Sequence, residues 1–151
     1  MSTLLVVHHT PSPATQELLE AVLAGTNDEA IEGVDVRAVP ALVAGPIDVL
    51  EADGYLLGTP ANIGYVSGAL KHFFDTVYYP VLEATRDRPF AAYVHGNLGV
   101  EGAVKAIETI TTGLGWKPVA KVVTVEGAPS RADRDALYEL GATLAATLAS
   151  R

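Results

Sequence analysis

Several features are missing from this sequence of 151 residues, and each absence excludes a class of protein. There is no cysteine, so disulfides, thiolate-bound zinc, iron–sulfur clusters and a cysteine nucleophile are excluded. No apolar run approaches the ~20 residues that a membrane-spanning helix needs, and we expect no membrane span. Basic residues are few, ten against eighteen acidic ones, which gives a formal net charge of −8. Nucleic acid is therefore a poor partner, because binding its phosphates requires a basic surface.

The composition that remains is typical of one globular domain. Hydrophobic residues make up 49% of the chain, enough for a sizeable core, and we expect residues 1–151 to form a single domain. Met1 to Thr3 contain no basic region before the first apolar run, so a secretory signal peptide is not expected. Together with the lack of cysteine, this agrees with the cytoplasm, which is the location that we expect.

Strand and helix patterns alternate along the chain. Apolar runs predict five strands, at residues 4–7, 34–39, 55–57, 90–94 and 119–125, the last interrupted by Lys121. Apolar side chains at helical spacing predict helices at 16–25, 67–77, 100–110 and 130–148, with a short helical turn after Gly45. Pro80 is expected to lie just beyond the second long helix. Because helical crossovers connect parallel strands and cover both faces of the sheet, the sequence predicts a doubly wound, three-layer α/β domain.

The most informative stretch is the loop between the first strand and the first helix. Ser12 suits the N-cap position, Pro13 the first helical position and Thr15 the third. The free N–H groups and the positive dipole end of such a helix form an anion site, to which the hydroxyls of Thr10, Ser12 and Thr15 would add donors. A well-capped helix without any ligand explains this loop equally well.

Two further loops are expected at the same edge of the sheet, where parallel α/β folds bind their ligands. They are residues 59–65 and residues 95–100. Their glycines at 64, 96 and 99 permit close backbone approach to a flat ligand, and Asn62 and Asn97 can both donate and accept hydrogen bonds at the edge of a heterocycle. Each loop alone is also an ordinary turn. Three such loops at one edge favour a binding site.

Two of these loops resemble motifs of flavodoxin-like proteins. Residues 10–15, TPSPAT, resemble the T/S-x-T/S-x-x-T phosphate loop of that superfamily. Residues 58–75, GTPANIGYVSGALKHFFD, resemble the G-[ST]-P-x-[YN]-x-G-x-x-[ST]-[AG]-x-[LF]-K-x-[FW]-x-D stretch of FMN-dependent NAD(P)H:quinone reductases and NADPH-dependent FMN reductases. The resemblance covers nearly the whole chain, since the order of strands and helices also agrees. It implies a three-layer flavodoxin-like fold, a five-stranded parallel sheet in the order 2-1-3-4-5, and bound FMN.

The resemblance also implies which residues bind the cofactor. The FMN phosphate would be held by Thr10, Ser12, Ala14 and Thr15. One side of the isoalloxazine would be lined by Pro60, Ala61, Asn62 and Ile63. Its other side or its pyrimidine edge would lie beside His95, Gly96, Asn97 and Gly99. To these we add Gly64, for its close approach, and His9, as a donor to the phosphate.

Two departures from flavodoxins proper bear on function. Neither flavin loop has an obvious aromatic residue to stack on the ring, although Tyr65 could either swing in or pack at the start of its helix. The last strand also lacks a long insertion. These two departures, the missing stacking residue and the missing insertion, favour a short reductase over an electron carrier.

Trp116, between a helix and a strand, is expected to pack in the core.

The main hypothesis is an FMN-binding oxidoreductase that passes electrons from NAD(P)H through FMN to a quinone or a similar acceptor. The alternatives are a flavodoxin-type electron carrier without its own turnover and a flavin-free binding module on the same fold. The expected partners are a small-molecule acceptor or a redox protein, and the resemblance implies a homo-oligomer.

Three histidines lie near the predicted edge. His8 and His9 are adjacent and point to opposite sides of a strand. A metal site that uses them with His95 is conceivable, but no carboxylate or further histidine lies near them in the pattern, and we predict no metal. His95 is the one weak catalytic candidate, as a proton donor to the reduced acceptor or flavin, with an ordinary hydrogen-bonded histidine as the alternative.

Overall fold

A central β-sheet organises the protein, in a computed structural model that describes all of residues 1–151. Its strands are β1 (Ser2–His8), β2 (Val34–Pro40), β3 (Gly54–Asn62), β4 (Tyr65–Val66), β5 (Pro89–Gly96), β6 (Lys117–Pro118) and β7 (Val123–Glu126). The helices are α1 (Pro13–Thr26), α2 (Pro46–Glu51), α3 (Gly68–Val81), α4 (Val100–Leu114) and α5 (Arg131–Ala149). No helix combines the length and the hydrophobicity that crossing a membrane requires.

The order of the main strands agrees with the prediction. They run in the order β2-β1-β3-β5, with β6 and β7 both paired in parallel to β5 at the far edge. The sheet has seven strands, two more than the five predicted. One addition is β4, which turns back antiparallel on the end of β3. The other is β6, which lies before the predicted last strand; of that predicted strand, residues 119–125, only residues 123–125 are extended, in β7.

Helices cover both faces of the sheet, as predicted, because strand side chains alternate between two hydrophobic layers. One layer packs under α2, α3 and α4, and the other under α1 and α5. The helices α1 and α5 approach each other closely at Gly25 and Gly141. A β-carbon at Gly25 would lie 2.0 Å from the Tyr138 carbonyl oxygen, and one at Gly141 would lie 2.2 Å from that of Val22. Only glycine allows this approach.

One predicted helix boundary is wrong. The sequence placed Pro80 outside the second long helix, but α3 continues to Val81 and contains it. The proline lies in the last turn, where its missing N–H costs the helix only one hydrogen bond.

The register of the parallel strands places four loops together. His8 pairs with Gly58, and Gly58 with Tyr93. On the next strand across the sheet, Val125 of β7 pairs with His95 of β5. The loops that follow β1, β3, β5 and β7 therefore open at one side of the sheet, called here the carboxyl edge.

Candidate functional site

The first loop forms the predicted N-cap of α1. Ser12 Oγ accepts a hydrogen bond from the Thr15 N–H (3.2 Å), and Thr15 Oγ1 accepts one from the Ser12 N–H (3.0 Å). Thr15 Oγ1 also donates to the Ser12 carbonyl oxygen (3.0 Å), and Thr15 is buried. The Thr15 hydroxyl is thus fully used inside the cap. Ser12 is only half-buried, and its Oγ also lies 2.9 Å from Thr15 Oγ1, to which its hydroxyl donates, so its proton must turn away from Thr15 to reach a ligand.

The electrostatics of α1 suit an anion. No acidic residue lies in its first turn, whereas α2, α4 and α5 carry Asp48, Glu101 and Asp133 in theirs. The cap of α3, Ser67, is completely buried. Among the five helices, α1 therefore presents an accessible positive end without a carboxylate of its own. This neutral donor set fits a phosphate group.

The histidine tied to this loop is His8, which the sequence reasoning did not select. Its Nδ1 lies 2.7 Å from Thr10 Oγ1. Burial, and secondarily the neighbouring His9, lower the pKa of His8, so that its ring is neutral at pH 7. The backbone N–H of His9 donates to the Gly58 carbonyl oxygen (3.0 Å) and joins the first loop to β3. Strand alternation could have separated the two histidines, but only with knowledge of which face α1 covers.

The second loop is a β-hairpin formed by Asn62–Tyr65. Ile63 and Gly64 occupy its two-residue turn with φ angles of 51° and 72°. A positive φ is unusual for a β-branched residue, and the Ile63 side chain is fully exposed. At the base of the hairpin, Thr59 Oγ1 accepts a hydrogen bond from the Ser67 N–H (3.0 Å), and both residues are buried.

The third loop touches the second. Gly99 is the N-cap of α4 with φ of 74°, and a β-carbon there would lie 2.9 Å from Gly64 Cα. A β-carbon at Gly96 would lie 3.2 Å from Ala61 Cβ. The structure thus brings together the loops that the sequence predicted as neighbours. Asn62 and Asn97 are exposed on them, where both side chains are accessible to a ligand.

A fourth loop, residues 127–130, belongs to the same edge and was missed. His95 Nε2 lies 2.8 Å from the Gly127 carbonyl oxygen, and the Gly127 N–H donates to the Gly96 carbonyl oxygen (3.2 Å). Because a carbonyl only accepts, Nε2 carries the proton and Nδ1 is the nitrogen left for a ligand. The signal available in the sequence was the glycine between the last strand and a capped helix, the same order as in the other loops.

Other predictions concern residues away from the loops. Trp116 is buried, stacks on Tyr55 with ring centroids 4.0 Å apart, and donates from Nε1 to Thr85 Oγ1 (2.9 Å), so its predicted packing role is confirmed. Tyr65 is partly exposed in the hairpin. The structure brings no three histidine, aspartate or glutamate side chains together as a metal site.

Solved structures share this fold at low sequence identity. A flavodoxin from the domain Archaea superposes with a TM-score of 0.82 at 18% identity, covering 99% of both chains. A WrbA-like flavodoxin from Agrobacterium tumefaciens gives 0.78 at 18% identity, covering 99% of this chain and 98% of the other. The rubredoxin oxygen:oxidoreductase of Desulfovibrio gigas gives 0.82 at 15% identity, over 98% of this chain but 36% of that one. The fold is therefore flavodoxin-like.

Comparisons of the sequence identify a relative and a family to which the chain is similar. A flavodoxin of Aquifex aeolicus (strain VF5) is 39% identical over 77 residues, which cover 51% of this chain and 40% of the relative. The match thus spans less than half of that relative's length. The family model described as NADPH-dependent FMN reductase matches residues 47–130, more than half of the 151 residues. The chain therefore belongs to the NADPH-dependent FMN reductase family.

Proposed function

We propose that the protein binds FMN at the carboxyl edge and works as an NAD(P)H-dependent oxidoreductase. The observation that carries the proposal is the accessible N-terminus of α1, which has neutral hydroxyl donors and no carboxylate in its first turn. It lies at the same edge as two glycine-rich loops that touch each other. An anionic group and a flat ring system can be bound side by side at such an edge.

The phosphate of FMN would be held by Ser12 Oγ, Thr10 Oγ1 and the N–H of Ala14. Thr15, predicted as a fourth ligand, would instead keep the cap in shape, because its hydroxyl already bonds the N–H and the carbonyl oxygen of Ser12. His8 supports this set by bonding Thr10. His9, predicted as a further donor, is half-buried beside the loop. No lysine or arginine is needed, because charge-assisted hydrogen bonds from neutral donors stabilise a phosphate at a helix N-terminus.

The ring system would lie against the second and third loops. Its neighbours there would be Pro60 to Gly64 on one loop and His95, Gly96, Asn97 and Gly99 on the other. When bound, FMN supplies the redox chemistry, taking electrons from NAD(P)H and passing them to a quinone or a similar acceptor. The chain supplies orientation, donors for the polar edge, and a hydrogen-bond acceptor at His95 Nδ1, because the ring proton lies on Nε2.

The alternative function is electron transfer without turnover, as in flavodoxins. The flavodoxin relative and the net charge of −8 favour it. Against it stands the hairpin, whose turn offers Ile63 and Gly64 rather than an aromatic ring.

One set of measurements tests the proposal and separates the alternatives. The freshly purified protein should be yellow, or should take up FMN on titration with a change in its absorption and fluorescence spectra. With FMN bound, it should oxidise NADPH or NADH in the presence of a quinone. FMN binding without oxidation of NADPH or NADH would support the electron carrier. No flavin binding at all would contradict both functions and would support the flavin-free binding module.

We also propose that the protein forms a homo-oligomer through helical surfaces. Tyr79 on α3 is 80% exposed and contacts Tyr78 edge-on, with ring centroids 5.1 Å apart. Leu42, Val43 and Ile47, which precede or begin α2, are also exposed. Such apolar side chains are typical of an interface when they form a patch. Light scattering on the purified protein measures the mass, and a monomer at micromolar concentration would contradict this proposal.

A further inference from the structure

Gly102, in the first turn of α4, lies directly against the tip of the hairpin. A β-carbon at Gly102 would lie 1.9 Å from the Gly64 carbonyl oxygen and 2.9 Å from its carbonyl carbon. Both groups belong to the backbone, so no flexible side chain can move aside. Gly102 is thus the point where the second loop rests on α4, and no motif in the sequence had singled it out.

The helix dipole of α4 also favours the contact between Gly64 and Gly102. The N-cap of α4 is Gly99, which has no side chain to bond the free N–H groups of the first turn. The Gly64 carbonyl oxygen, with its partial negative charge, lies against that positive end of the helix. The hairpin is held at its other end by the buried bond between Thr59 and Ser67.

The positive φ of Ile63 is explained by the two contacts that hold the hairpin at its tip and at its base. Its side chain is fully exposed and gains no packing that would offset a positive φ. Such a conformation persists only where the surroundings determine it. The contact of the Gly64 backbone with Gly102 and the hydrogen bond between Thr59 and Ser67 supply that constraint.

We propose that Gly102 is a positioning residue for the ring-binding part of the site. It acts through Gly64, because its lack of a side chain lets the hairpin sit against the third loop with Asn62 and Ile63 in place. This inference rests on the proposed function for its ligand, FMN. It concerns the ring and not the phosphate, and this difference makes it testable.

The test compares Gly102→Ala with Gly68→Ala, a matched change at a helical glycine where a β-carbon meets nothing within 4 Å. In flavin-free protein, Gly102→Ala should shift the amide resonances of residues 62–65 and 97–99 and speed their hydrogen exchange. Residues 10–15 should keep their resonances. The affinities for FMN and for riboflavin, which lacks the phosphate, should both fall about tenfold or more and by the same factor. Gly68→Ala should leave all of these unchanged.

Several outcomes would overturn the inference. These are unshifted hairpin resonances, unchanged affinity for both flavins, or resonance changes spread through the core with no preference for the hairpin. If Gly102→Ala does not fold, hydrogen exchange of the wild-type protein decides: the amides of residues 62–65 should be protected as well as those of the first turn of α4, and fast exchange confined to the hairpin refutes the idea. If the wild type binds neither flavin, the proposed function fails, while the resonances still decide whether Gly102 seats the hairpin.

Discussion

Ser12 has two roles in the proposed site, and they can be separated by experiment. As the N-cap of α1 its hydroxyl accepts the Thr15 N–H, and losing a cap costs about 1 kcal/mol of stability. For a domain of this size, that lowers Tm by roughly 2–4 °C. As a donor to a phosphate dianion it would contribute about 1.5–3 kcal/mol to binding. Ser12→Ala should therefore weaken FMN binding by about 10- to 150-fold.

Riboflavin isolates the second role, since it carries the same ring without the phosphate. Titration calorimetry or flavin fluorescence gives Kd for both ligands. Ser12→Ala should lower FMN affinity and leave riboflavin affinity nearly unchanged, so that the ratio of the two Kd values moves by the full factor. An unchanged ratio would refute the phosphate assignment, even if the protein bound FMN.

Two variants serve as controls for Ser12. Ser130→Ala removes an equivalent cap on α5, where Ser130 Oγ accepts the Asp133 N–H (3.1 Å). It should cost similar stability and leave the ratio unchanged. Thr15→Val removes a buried hydroxyl that bonds both the N–H and the carbonyl oxygen of Ser12. It should destabilise the fold by about 1–3 kcal/mol and affect the ratio much less than Ser12→Ala does.

Three further predictions concern stability. Arg88→Ala should cost about 2–3 kcal/mol in urea unfolding, because Arg88 Nη1 contacts the Ala52 carbonyl oxygen (2.8 Å) and two others at the end of α2; a loss below about 0.5 kcal/mol would contradict this. Ile63→Gly should stabilise the protein by about 1 kcal/mol, since glycine adopts a positive φ freely, and a loss of stability would show that Ile63 makes a contact after all. Hydrogen bonds from Tyr138 and from the Ala30 N–H lower the pKa of Asp28 in the folded protein. The ionised carboxylate therefore stabilises the fold at pH values above its pKa in the unfolded chain, and this stabilisation is lost as the pH falls through its pKa in the folded protein. Asp28→Asn should therefore reduce the acid dependence of stability, and an unchanged pH profile would count against that bond.

The sequence predicted what local chemistry determines. The cap of α1 follows from Ser12, Pro13 and Thr15 alone, since N-cap preferences need only a few neighbouring residues. The order of the main strands and the meeting of three loops follow from alternating patterns and the resemblance. The contact of Gly64 with Gly102 could not be predicted in this way, because it depends on how far β3 extends and where α4 begins.

The two histidines illustrate the same limit. The sequence showed that they point to opposite sides of a strand, and it favoured His9 for the phosphate loop. The bond to Thr10 belongs to His8, whose side chain shares the face of Leu4 and Val6 under α1 and α5. Which face a helix covers is decided by tertiary packing, which a single strand pattern does not contain.

The divided last strand has a consequence for how this protein meets its neighbours in solution. An exposed sheet edge offers unpaired N–H and C=O groups on which another chain can add a strand, which is a route to aggregation. Here β6 has two residues, one of them Pro118 without an N–H. The Val119 N–H still bonds the Phe90 carbonyl oxygen, but residues 120–122 leave the ladder with Lys121 exposed. The longest regular stretch at that edge is the four residues of β7. The break thus protects the sheet against growth into a second molecule, and stable association at this side must use side chains instead of added strands.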